Sequence, residues 1–175
     1  TYPLNLAKDS NHTASLRISV YPANVSGVKV KLSQIRKLIY GNGTTFRGSF
    51  LNGLKHGNGV LLSSTGYRYA GDWVRGKKTG FAIISYKNGS YFRGNVLDGL
   101  RHGNGEIFDA ISKIRFKGFW TKDIIQGQVE ITSSEWVFKG PMPNHNGKTK
   151  GEMQYSNGSV YQGEMKDFKR HGQGK

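Results

Sequence analysis

The sequence predicts an all-β protein: an elongated, single-layer, twisted antiparallel ribbon of stacked β-hairpins with an N-terminal β-hairpin cap. Three observations predict it. An aromatic residue followed two positions later by glycine recurs six times, at Phe46/Gly48, Tyr69/Gly71, Phe92/Gly94, Phe116/Gly118, Phe138/Gly140 and Tyr161/Gly163. The anchor glycines lie 22 to 24 residues apart, a period at which one small unit is stacked on the next. The composition is that of a turn-rich β protein, with 25 Gly in 175 residues, 12% aromatic and 35% hydrophobic.

Residues 1–37 read as the cap. Leu16, Ile18 and Val20 alternate with polar residues, as do Val28, Val30 and Leu32, and Pro22 to Gly27 connects them. An atypical terminal unit is what a stacked array needs to close an open end. Residues 38–175 form the repeat array, anchored at Gly48, Gly71, Gly94, Gly118, Gly140 and Gly163.

Within each unit the first strand carries the aromatic, the glycine and the residue two further on along one face, because side chains alternate with period two. That face is apolar, with Phe46 and Phe50, Tyr69 and Trp73, Phe92 and Val96, Phe116 and Trp120, Phe138 and Met142, and Tyr161 and Met165. The second strand opens on a small pair nine and eleven residues after the anchor, such as Gly57 and Gly59, Gly80 and Ala82, or Gly103 and Gly105. An aliphatic follows at thirteen: Leu61, Ile84, Ile107, Ile131 and Met153. The small residues are expected to leave room for the rings. Asn42-Gly43, Thr65-Gly66, Asn88-Gly89 and Asn157-Gly158 join one unit to the next as three-residue hairpin loops with a left-handed glycine. Centred on Thr65, such a loop sets Leu61 opposite Tyr69. The same register puts Glu106 opposite Lys117 and Glu130 opposite Lys139 on the outer face.

The chain carries 26 Lys and Arg against 11 Asp and Glu, a net charge of +15 that favours anionic partners. It contains no cysteine, which excludes thiol catalysis, disulfides and thiolate metal sites. No apolar run is long enough to cross a bilayer as a helix. Three of the five Asn-x-Ser/Thr sequons are the Asn-Gly turns at Asn42, Asn88 and Asn157, so they are read as turns before glycosylation sites. The chain starts at Thr1 and stops at Lys175, just after a glycine pair that elsewhere opens a strand, and is read as part of a longer protein.

YQGEMKDFKRHGQG, from Tyr161 to Gly174, resembles the MORN repeat, whose pattern is aromatic-x-Gly, an aromatic or apolar residue two further on, and then an HGxG-like turn. FRGSFLNGLKHGNG (Phe46 to Gly59) and FRGNVLDGLRHGNG (Phe92 to Gly105) fit it closely. The units at Gly118 and Gly140 depart from it: the first lacks the histidine and second glycine, and the second carries two prolines and a displaced His145. The resemblance implies a non-catalytic scaffold or interaction module that docks a protein partner along an aromatic groove. It further implies an intracellular setting at the cytoskeleton, a cilium or a membrane, and homodimerisation. Acidic phospholipids, as a phosphoinositide membrane tether, are the alternative partner. A third reading makes the array the regulatory region of a larger enzyme, such as a phosphatidylinositol phosphate kinase.

No catalytic residue and no cofactor are expected. His56, His102 and His171 each precede a glycine pair, but His56 and His102 lie two periods apart, much too widely for ligands of one metal ion, so the histidines are read as supports of the turn. The outer rings Phe50, Trp73 and Trp120 are the candidates for a solvent-accessible partner groove. The basic position ahead of the glycine pair, Lys55, Lys78, Arg101 and Arg170, is the candidate anion or lipid edge, a ladder along one side of the ribbon set against the alternative of a solvated protective edge. Nucleic acid is the least favoured partner, since no motif for it is present.

Overall fold

The computed structural model describes residues 15–17 and 34–175, and the chain divides into two compact units, Thr1–Lys87 and Asn88–Lys175. The first unit contains β1 (Ser15–Arg17), β2 (Gln34–Ile39), β3 (Thr45–Leu51), β4 (Leu54–Leu62), β5 (Arg68–Val74) and β6 (Lys77–Ser85). The second contains β7 (Tyr91–Leu97), β8 (Leu100–Asp109), β9 (Ile114–Thr121), β10 (Ile124–Thr132), β11 (Trp136–Pro141), β12 (Lys148–Tyr155), β13 (Val160–Lys166) and β14 (Lys169–Gly174). Within each unit every strand pairs antiparallel with the next, so each is a single-layer hairpin ribbon of the predicted kind. Of the expected cap, Ser15–Arg17 pairs with β2, whereas its connection and second strand, residues 18–33, lie outside the described residues.

The predicted registers hold. Leu61 stands opposite Tyr69, and the loop before it closes through Ser63 N–H to Tyr67 O at 2.8 Å with Gly66 at φ +88°. In each unit anchor rings and aliphatics alternate along a row: Leu38, Phe46, Leu61, Tyr69 and Ile84 in the first, and Phe92, Ile107, Phe116, Ile131, Phe138, Met153 and Tyr161 in the second. Beside each runs a row of small residues, Gly48, Gly59, Gly71 and Ala82 in the first unit and Gly94, Gly105 and Gly118 in the second. Phe46, Tyr69, Phe92 and Phe138 are fully buried although each unit is one layer thick. They manage this by lying across the glycines: a Cβ at Gly59 would sit 2.5 Å from the Phe46 ring, and one at Gly105 2.5 Å from that of Phe92.

On the outer face Lys139 Nζ lies 3.6 Å from Glu130, as the register predicts. Glu106 is opposite Lys117 but its ion pair is made to Arg115, at 3.2 Å, along the diagonal.

Two readings of the glycine pair change. HGxG is not a turn. The hairpin reverses earlier, at two-residue turns such as Asn52-Gly53, Arg75-Gly76 and Asp98-Gly99, whose members all have positive φ, as the strand twist requires. His56 and His102 therefore sit inside β4 and β8, next to a bulge. The first glycine of the pair makes no room for a ring either; Gly57, Gly80, Gly103, Gly127 and Gly172 adopt φ of +66° to +73° at that bulge, a conformation that costs other residues about 1–2 kcal/mol.

Candidate functional site

The bulge decides which way the basic residues point. In the first hairpin Gly48 pairs with Gly59 and Phe50 with Lys55, so two residues of β3 span four of β4. The excess is even, and side chains alternate with period two, so Lys55 returns to the face that carries Phe46 and Phe50. Trp73 pairs with Lys78, Val96 with Arg101 and Met165 with Arg170 by the same geometry. The sequence reading placed Lys55, Lys78, Arg101 and Arg170 on an edge and the outer rings in a separate groove. Within each unit the structure puts cations and rings in one row on one face.

Each cation lies over rings. Lys55 Nζ is 5.0 Å from the Trp73 centroid and 5.2 Å from those of Phe46 and Tyr40. Lys78 Nζ is 4.8 Å from Tyr67, 5.0 Å from Tyr69 and 5.9 Å from Trp73, and it donates to the Tyr67 hydroxyl at 3.1 Å. The Arg101 guanidinium lies 4.4 Å over Trp120, and that of Arg170 lies 4.9 Å over Tyr155 and 5.2 Å over Tyr161. Such contacts contribute about 0.5–2 kcal/mol, more where water is excluded.

The tryptophans are correspondingly covered. Trp73 is 3% and Trp120 4% exposed, and their indole N–H groups donate to Gly59 O and Gly105 O at 3.4 and 3.2 Å. The expectation of open indoles is corrected: the rings lie down on the glycine row and the cations close over them. Phe50 is half-buried, with its ring edge-on to Phe46 at 5.4 Å.

The two units differ in what neutralises the cations. Arg101 donates from Nε to Asp123 Oδ1 at 2.8 Å and from its backbone N–H to the same oxygen at 2.9 Å, while its Nη2 donates to Asp123 O at 3.0 Å. Asp123 is the second residue of the β9–β10 turn, at φ +70°, and its own N–H donates to Arg101 O at 3.0 Å. In the first unit Gly76 holds the same place, at φ +85°, and its N–H donates to Lys55 O at 2.8 Å. Glycine brings no carboxylate, and among the described residues neither Lys55 nor Lys78 has a salt bridge. Burial, and after it the charge of Lys55, hold the Lys78 ammonium below the ordinary lysine pKa.

Sequence reasoning missed Asp123 and the tyrosines Tyr40, Tyr67 and Tyr155 that flank the cations. A signal for Asp123 was present: it stands where Gly53, Gly76 and Gly99 stand in other hairpins.

The MORN repeat family model matches residues 46–66, 69–91, 92–108 and 161–175. Each matched segment begins on an anchor aromatic, and together they include the hairpins in which a cation closes over the rings. This is a MORN-repeat protein. MORN repeats are in general modules of protein and membrane interaction, not of catalysis. The units anchored at Gly118 and Gly140 fall outside the matched segments, and there Ile125 takes the basic position opposite Trp120. A search for curated relatives of this MORN-repeat chain finds no match.

Proposed function

We propose that the chain is a non-catalytic scaffold module that docks a partner protein on the face shared by the rings and the cations. The observation that carries this reading is the merging of two recognition chemistries in one row within each unit: Phe50 and Trp73 pair directly with Lys55 and Lys78 in the first, and Val96 and Met165 with Arg101 and Arg170 in the second. A peptide laid along such a row meets apolar contact and positive charge at a fixed spacing, which supplies affinity and register together. A photo-reactive phenylalanine analogue placed at Phe50, with a second placed at Phe81 on the opposite face, tests it in native extract. Cross-linking from position 50 but not from position 81 supports docking on this face; cross-linking from position 81 alone rejects it.

An anionic-membrane tether is the second reading, and the net charge of +15 favours it. The ring-bound geometry of the cations counts against a ladder free to meet successive headgroups. Flotation with phosphoinositide vesicles tests it: binding that survives Lys55→Glu with Arg170→Glu would remove this row from the membrane contact.

A further inference from the structure

Two half-buried ammonium groups share one indole, and among the described residues neither makes a salt bridge; the arrangement is unbalanced, because the charge of Lys55 adds to the cost of the charge on Lys78. The second unit shows the balanced version. There the turn residue Asp123 places a carboxylate against the cation that lies over Trp120. The two cations share the same backbone hydrogen bond to the following turn, Gly76 N–H to Lys55 O and Asp123 N–H to Arg101 O. What the first unit lacks is therefore one chemical group at one known position.

We infer that the Lys55–Lys78 pair over Trp73 is a receptor site for a carboxylate of an acidic peptide segment, an aspartate or glutamate side chain that takes the place Asp123 takes beside Arg101. This rests on the docking reading and names the chemistry of its partner. A carboxylate is the ligand favoured because the repeat itself supplies one at the equivalent place, borne on polypeptide. A Cβ added at Gly76 would meet only Leu54 Cδ2, at 4.0 Å, so the place where Asp123 carries its side chain has room for one. The lowered Lys78 pKa agrees with a cation deprived of its counter-ion.

The test is fluorescence anisotropy with a labelled hexaglutamate peptide at physiological salt, using the whole chain. Lys55→Met with Lys78→Met should weaken binding at least tenfold. The control Lys148→Met with Lys166→Met removes the same charge from an exposed lysine pair facing each other across β12 and β13, and should leave binding within about twofold if general charge is a minor contribution. Gly76→Asp keeps both lysines and their ring contacts but supplies an internal carboxylate; it should also weaken the peptide at least tenfold, and it remains informative if the double methionine variant unfolds.

Absence of hexaglutamate binding, equal losses in the two lysine pairs, or full binding by Gly76→Asp would each overturn the site. So would phosphatidylserine vesicles that depend on Lys55 and Lys78 where hexaglutamate does not. The two proposals fail separately: cross-linking from position 50 that persists in Gly76→Asp with undiminished yield rejects the carboxylate site and leaves docking standing, whereas loss of that cross-linking in the unsubstituted protein rejects docking whatever hexaglutamate does.

Discussion

Asp123 accepts from both the side chain and the backbone N–H of Arg101, and in doing so ties the turn of one hairpin to the second strand of the hairpin before it. Hydrogen bonds to a charged group contribute about 1.5–3 kcal/mol when shielded, and this carboxylate is 42% exposed, which reduces that figure. Asp123→Gly keeps the left-handed turn and removes only the carboxylate. It should cost about 1 kcal/mol, read as a lower urea midpoint with an unchanged slope.

The glycines facing the anchor rings set a stricter limit. Gly105→Ala drives a methyl group to 2.5 Å from the Phe92 ring, and that ring is already fully buried, so it has nowhere to retreat. Overpacking of this kind costs about 1–3 kcal/mol. Ala82, at the corresponding place opposite Gly71, is accommodated and fully buried, so Ala82→Gly should cost about 1 kcal/mol or less. Thermal melts of the two variants check the asymmetry.

The periodicity of two and the repeat of 22 to 24 residues made the fold legible, because every anchor ring, glycine and aliphatic had to share one face for the pattern to be worth repeating. The direction of Lys55, Lys78, Arg101 and Arg170 was not legible. It depends on a bulge of even excess, and a left-handed glycine in a strand looks in the sequence like a glycine that makes room. The buried state of Trp73 and Trp120 was hidden for a related reason: a ring two residues past the glycine can stand up into solvent or lie down on the next glycine, and only the neighbouring strand decides. Phe50 and Lys55 were named separately and paired only by the structure.

Phe168 is the test of the irregular region. It follows Asp167 in the β13–β14 turn at φ +58°, strained for a bulky residue by about 1–2 kcal/mol, and its ring stacks on Trp136 at 5.6 Å and meets Phe138 edge-on at 5.5 Å. The ring contacts contribute about 0.5–1.5 kcal/mol each beyond the area they bury, so packing outweighs strain. Phe168→Gly should therefore lower stability by about 1 kcal/mol and alter Trp136 fluorescence in the folded state. A variant more stable than the unsubstituted chain would show that strain dominates.

Lys78 and Tyr69 give the first unit opposed responses to alkali. Burial, and next the charge of Lys55, place the folded Lys78 pKa below its unfolded value. Between the two values the unfolded chain holds the extra proton, so the Lys78 contribution to stability rises with pH through that window; below the folded value the cost of the half-buried charge is present in full. Tyr69 runs the other way. Burial first, then Asp72 and Tyr67, raise its phenol above the ordinary range, so its contribution is complete below the unfolded tyrosine value of about 10 and is lost as pH climbs from there toward the folded one. Side-chain NMR of the lysines should show Lys78 titrating below the exposed ones, with Lys55→Met moving it only part of the way back, since burial is the larger cause. In urea melts, Lys78→Met should remove the stability gain between the folded and unfolded Lys78 values, and Tyr69→Phe should remove the decline above the unfolded tyrosine value. A Lys78 that titrates with the exposed lysines would mean that its ammonium is solvated and does not rest on the Tyr69 and Trp73 rings.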